Sequence, residues 1–254
     1  MGKRIGSLTV FALFMGCFFG AVLSLGGMEL SSYPMGDSDV PTESLDISTV
    51  MSASSVEQNR PTVILDAGHG GEDGGAVSQS GAAEKSLNLS IALTLGDMLR
   101  ACGVDVIYTR TDDNGLYDGA VPGHRKMTDL KNRLAVRQAH PDAVFLSIHM
   151  NTFSDPRYDG MQVFYSVNDP TSALLAEHLR GANKMYLQPD NQRACKPANS
   201  SIYLLDRAQG TSVLAECGFL SNPEEAARLM TAEYREQIAA VLCIGILNFI
   251  KESS

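Results

Sequence analysis

"PTVILDAGHGGEDGGAV", residues 61–77, is the stretch whose reading decides the fold. Val63, Ile64 and Leu65 form an apolar run too short for a helix, and it breaks at once into "DAGHGGEDGGAV", where five glycines surround one histidine. That is a strand feeding a loop of bare backbone. Downstream, "EKSLNLSIALTLGDMLRA" (84–101) places Leu87, Ile91, Leu95 and Leu99 on one helical face, with Gly103 as a stop after Cys102. Strand, loop and helix make the first half of a βαβ unit. The pattern then repeats. Strands are expected over 63–66, 105–109, 143–149, 161–166, 201–205 and 212–217, and further helices over 129–139, 171–185, 223–230 and 232–250. The last helix carries Tyr234, Ile238, Val241, Leu242, Ile246 and Phe249 on one side. The alternation predicts an α/β class: a single domain with a central twisted, mostly parallel or mixed sheet and helices on both faces.

The chain has 254 residues, 44% of them hydrophobic, enough for one sizeable domain and an appendage. A net charge of −9 without a Lys/Arg cluster argues against nucleic acid as a partner. Residues 1–30 are different: Lys3 and Arg4 precede an uncharged stretch from Ile5 to Met28. This is an export signal or an N-terminal membrane anchor, with Ser24 and Gly26 at a candidate cleavage region and the following chain on the outer side. Lipid modification at Cys17 fits poorly, because apolar sequence continues beyond it. Residues 31–60, rich in Ser, Asp, Pro and Thr, read as a flexible tether, which leaves 61–254 as the folded domain. Cys102, Cys195, Cys217 and Cys243 lack C-x-x-C spacing, so buried free thiols are expected, with room for one incidental bridge.

In open α/β sheets, ligands collect where strands end. Three expected strands end in titratable residues: "VILDAGH" in His69, "VFLSIH" in His149 and "SVLAE" in Glu216, while Glu84 opens the first long helix. Each has a bland reading: a satisfied core histidine, a carboxylate at a helix N-terminus, a capping acceptor. All four at one sheet edge would require four separate coincidences. Two imidazoles and a carboxylate are the donor set of a catalytic zinc site with one position open, and a second carboxylate would serve as general base. A phosphate site fits less well, since the glycines match neither G-x-x-x-x-G-K-[ST] nor G-x-G-x-x-G. G-x-S-x-G and H-E-x-x-H are both absent from the sequence.

The blocks "ILDAGHGGEDGGAV", "EKSLNLSIALTLGDML", "GVDVIYTR", "DLKNRLAVRQAHPDAVFLSIHMN" and "AECGFLSNPEEAARL", in this order, resemble the zinc-dependent N-acetylmuramoyl-L-alanine amidases (the Amidase_3 family), over about residues 62–250. The resemblance implies Zn²⁺ on His69, Glu84 and His149, with Glu216 as catalytic acid/base. Ala67 stands where that family more often has proline, a difference in turn stiffness rather than ligation. The segments "TRTDDNGLYDGAVPGHRKMTDL", "FSDPRYDGMQVFYS" and "RACKPANSSIYLL" resemble the spore-specific CwlD-type branch. They imply peptidoglycan as substrate, a role in cortex synthesis that lets muramic-δ-lactam form, a partner lipoprotein, and a location at the outer face of the cytoplasmic membrane or in the wall and cortex space. A vegetative autolysin of the same family, another zinc-dependent wall peptidase or deacetylase, and a non-catalytic wall-binding protein are the alternatives. Asp113, His124, Arg125 and Asn151 read as solvated loop positions near the site, His140 as a helix C-terminal residue and His178 as solvent-facing.

Overall fold

The computed structural model describes residues 60–121 and 123–253; the expected export or anchor segment and the tether lie outside the described residues. Among the described residues six strands form one sheet in the order β2-β1-β3-β6-β4-β5. They are β1 (Thr62–Ala67), β2 (Asp105–Tyr108), β3 (Val144–Asn151), β4 (Gln162–Tyr165), β5 (Lys196–Pro197) and β6 (Ser212–Phe219). β2, β1, β3 and β6 run parallel, and β4 lies antiparallel to β6, so the sheet is mixed. The helices are α1 (Glu84–Ala101), α2 (Arg125–Ala139), α3 (Thr171–Tyr186), α4 (Tyr203–Arg207), α5 (Pro223–Leu229) and α6 (Ala232–Ser253). No helix among the described residues is long and apolar enough to cross a membrane.

The strands at the centre read as unbroken apolar runs because both faces are covered. Side chains alternate across the sheet: Val63, Leu65, Leu146 and Ile148 point into the main core with α1, α3 and α6, while Ile64 and Phe145 meet Leu134 of α2 and Leu204 of α4 on the other face. The predicted stripe of α1, Leu87, Ile91, Leu95 and Leu99, is buried. Its end is a Schellman turn: Gly103 at φ +82° donates to Arg100 O, and Val104 N donates to Leu99 O. α6 crosses α3 closely at Gly245, where a Cβ would come within 2.8 Å of the Leu179 Cα.

One expected strand is a helix. Residues 201–202 turn and 203–205 enter α4, because Asn199 Oδ1 accepts from Ser201 N and the turn leads into Asp206 N→Ile202 O bonding. Leu204 and Leu205 are both buried in this helix. The edge strand of two residues is instead β5.

Candidate metal centre

β1, β3 and β6 end together at one edge of the sheet, and that edge carries the titratable residues singled out in the sequence. His69 leaves β1 in the left-handed region at φ +62°, a conformation costly for a residue with a Cβ and sustained here by its bonds. A Cβ on Gly68 would fall within the His149 ring, and one on Gly75, at φ +66°, would meet Glu84 Oε2 at 2.6 Å. These two glycines are bare because the imidazoles and the carboxylate occupy the space their side chains would need.

Glu84 sits between the rings. Its Oε2 is 3.2 Å from His69 Nε2 and its Oε1 is 2.9 Å from His149 Nδ1. One candidate donor atom from each of the three residues lies within 4.8 Å of the others, and the two imidazoles meet edge to face at 4.9 Å. Ala76 N and Met150 N donate to the same carboxylate at 2.8 and 3.0 Å, and Asn88 Nδ2 at 3.3 Å. Burial by itself would raise the Glu84 pKa, but the bonds to His149 and His69 prevail and hold it far below the usual carboxylate range. Burial likewise opposes a charged His69, yet Glu84 and then Asp73 raise its pKa. Asp73 Oδ2 lies 3.0 Å from His69 Nδ1, the arrangement that fixes a ligating imidazole's tautomer and turns its other nitrogen toward a metal. A nitrogen and oxygen donor set of this kind, with Glu84 buried and both imidazoles half-buried, fits zinc.

Glu216 is the register partner of His149 on β6. Its Oε2 is shut off from solvent with no hydrogen-bond partner among the described residues. Burial pushes its pKa up to about 7; His149 opposes that shift and Glu84 adds to it. The four residues face a cavity of about 440 Å³, which Asp73, Lys126, Asn151 and Thr152 also line. Another cavity, of about 540 Å³, lies beside residues 187–193, Glu225 and Arg228. The Glu225 carboxylate is already occupied there by Gly160 N and Phe219 N.

The bracing behind the site was missed in the sequence. Asp66 is buried in the sheet, where Ser147 Oγ and Arg133 Nη1 each bond it at 2.6 Å. Arg133 also donates to Ala67 O and His69 O, and Arg110 to Ala67 O, Gly68 O and Lys85 O. Two buried guanidinium groups thus bond carbonyls at the end of β1 and in the histidine-bearing loop. The available clue was an aspartate inside an apolar strand, which demands a buried cation.

Asp113 pairs with Lys85, and His124 occupies the N-cap of α2 and His140 the C-cap; two of the expected loop positions lie in regular elements instead, Arg125 as the first residue of α2, paired with Glu72, and Asn151 as the last residue of β3, where it lines the cavity. His178 is half-buried rather than solvent-facing, 2.9 Å from Glu252 and packed on Phe249, because α6 covers that side of α3. The four described cysteines are free; Cys217 and Cys243 are buried as expected, whereas Cys102 is exposed at the C-cap of α1.

A family model described as N-acetylmuramoyl-L-alanine amidase matches residues 63–248. The chain is similar to the germination-specific N-acetylmuramoyl-L-alanine amidase of Bacillus subtilis (strain 168), 32% identical over 192 residues that cover 75% of this chain and 80% of that protein. It is also similar to the N-acetylmuramoyl-L-alanine amidase AmiA of Escherichia coli (strain K12), 27% identical over 74% of this chain and 75% of that one. Among solved structures, the CwlD amidase from Clostridioides difficile in complex with the GerS lipoprotein superposes with a TM-score of 0.73 and 37% identity, covering 76% of this chain and 100% of that one.

Proposed function

The chain belongs to the N-acetylmuramoyl-L-alanine amidase family and is a peptidoglycan hydrolase, and from that premise we propose that it cleaves its amide with a zinc ion held by His69, Glu84 and His149 and with Glu216 as acid/base. The observation that carries this reading is the pairing of a three-donor cluster with an unpartnered carboxylate oxygen on the adjacent strand. A zinc ion bound there would supply Lewis acidity toward the scissile carbonyl and lower the pKa of water. Glu216 then takes the proton of the attacking water on its free oxygen. It returns that proton to the departing amine of L-alanine, so the leaving group is neutral. Asp73 keeps His69 in one tautomer, and Asn88, Ala76 N and Met150 N keep Glu84 from rotating.

The finer role proposed is spore-specific: removal of stem peptides during cortex synthesis, ahead of muramic-δ-lactam formation. It is supported by the likeness to a germination-specific amidase and to CwlD. CwlD was solved with the GerS lipoprotein, and a lipoprotein partner is proposed here on that basis. The apolar N-terminal sequence supports a site of action outside the cytoplasm.

Mass spectrometry of muropeptides after incubation of the purified protein with peptidoglycan tests the reaction. A new amino terminus on alanine is expected. Release of acetate instead would assign the same site to deacetylation, and unchanged muropeptides would remove the catalytic reading.

A further inference from the structure

Immediately beyond the metal cavity the sheet edge becomes aromatic. β3 and β6 pair His149 with Glu216 and, after a bulge, Asn151 with Phe219. The chain leaving β3 carries Phe153, whose N–H is fixed by Ser221 Oγ at 3.0 Å. The Phe153 and Tyr158 rings pack with centroids 4.5 Å apart, and Tyr158 in turn lies 6.3 Å from Phe219. The Arg193 guanidinium lies over both Phe219 and Tyr158, at 4.7 and 5.3 Å, with its Nε bonded to Asp159 O. Phe219 is buried, but Phe153 is 50% and Tyr158 42% exposed. Two aromatic rings therefore pack together at the surface, and Phe153 directly follows Asn151 and Thr152, both of which line the metal cavity.

The size of this patch limits its occupant. Two half-exposed rings offer on the order of 200 Å², whereas a stable protein partner covers roughly 800 Å² on each side. A peptide of alanine, glutamate and a diamino acid has no large apolar side chain to lay on an aromatic face. A pyranose has the required shape: its axial C–H groups form an apolar face of one ring's width, and its hydroxyls remain wet at the rim. We propose that Phe153 and Tyr158 form a stacking subsite for a sugar of the glycan strand next to the one carrying the scissile amide, an assignment that rests on the amidase reading. Arg193 is a positioning residue that holds Tyr158.

The test uses the full chain, its Phe153→Ala/Tyr158→Ala double variant, and Tyr158→Phe, which keeps the ring. Zinc content and thermal melting report whether each remains folded and loaded. Binding is measured to glycan strands stripped of stem peptides, and rates on polymeric peptidoglycan and on the single-sugar compound N-acetylmuramoyl-L-alanyl-D-isoglutamine. In the double variant, glycan binding should weaken about tenfold or more, and KM on the polymer should rise while kcat and the single-sugar rate stay at wild-type values. Tyr158→Phe should bind glycan normally. Unchanged glycan binding in the double variant overturns the subsite, as does an equal loss of rate on both substrates. If the wild type binds glycan through these rings yet releases no alanine amino terminus, the amidase reading fails and the subsite stands.

Discussion

Glu84 and Glu216 face the same two imidazoles, yet their surroundings drive them in opposite directions. Glu84 accepts from two backbone N–H groups, an asparagine and both histidines, so its charge is held. Glu216 lacks such donors at Oε2, and burial raises it to about 7, where a carboxyl group both takes and gives a proton. A ligand and an acid/base are told apart by this difference, and two amide variants test it. Glu216→Gln should retain zinc while turnover falls by about 10²- to 10⁴-fold. Glu84→Gln should lose metal affinity itself, since a neutral amide replaces a charged donor. Zinc content and rate measured together decide the matter; metal lost from Glu216→Gln and kept by Glu84→Gln would reverse the two roles. The sequence disclosed these four residues because each interrupts an apolar run or opens a helix. Asp73, Asn88, Arg110 and Arg133 were not legible, because polar residues in a loop or on a helix look solvated until the partner across the fold is known.

Between elements, the Asp66–Arg133 pair ties β1 to α2 beneath the histidine loop. Burial alone would raise the Asp66 pKa; the Arg133 charge and the Ser147 hydrogen bond outweigh it, and the folded value is lowered. A carboxylate with a depressed folded pKa stabilises the fold above its unfolded value, near 3.9, and that contribution is lost as pH falls through the folded value. Asp66→Asn leaves Arg133 with Asp129 as its remaining acidic partner and should destabilise by about 3 kcal/mol at neutral pH, the lower end for a broken buried pair. Urea unfolding at pH 7 and at pH 3 should show the gap between wild type and variant narrowing at the acid end. A gap that stays constant would mean that folding leaves the Asp66 pKa where it stands in the unfolded chain. The same scale explains the misread helix α4: "SIYLL" is four apolar residues after a serine, and over that length strand and helix bury similar surface. The turn at Asn199 decides between them, and that signal lies ahead of the run.

At the scale of the molecule, the alternation of short apolar runs and longer striped segments made the α/β class legible, since each periodicity repeats over enough residues to be unambiguous. Strand order was not legible; β6 reaches the centre and β4 turns antiparallel through contacts distant in sequence. The boundary of the domain can be tested from the same inventory. The buried core among the described residues runs from Val63 to Phe249, and the first anchoring contacts are those of Arg60, which donates to Gly103 O and pairs with Asp105. A chain cut just ahead of Arg60 keeps both contacts and every strand of the sheet. If the segment ahead of Arg60 is only a spacer, this truncation should melt within a few degrees of the full chain, because a spacer contributes no core contact and 1 kcal/mol shifts a domain of this size by about 2–4 °C. Its rate on a soluble single-sugar substrate should also match. A fall of ten degrees or more, or a lost rate with zinc still bound, would show that the preceding segment packs on the catalytic domain and completes it.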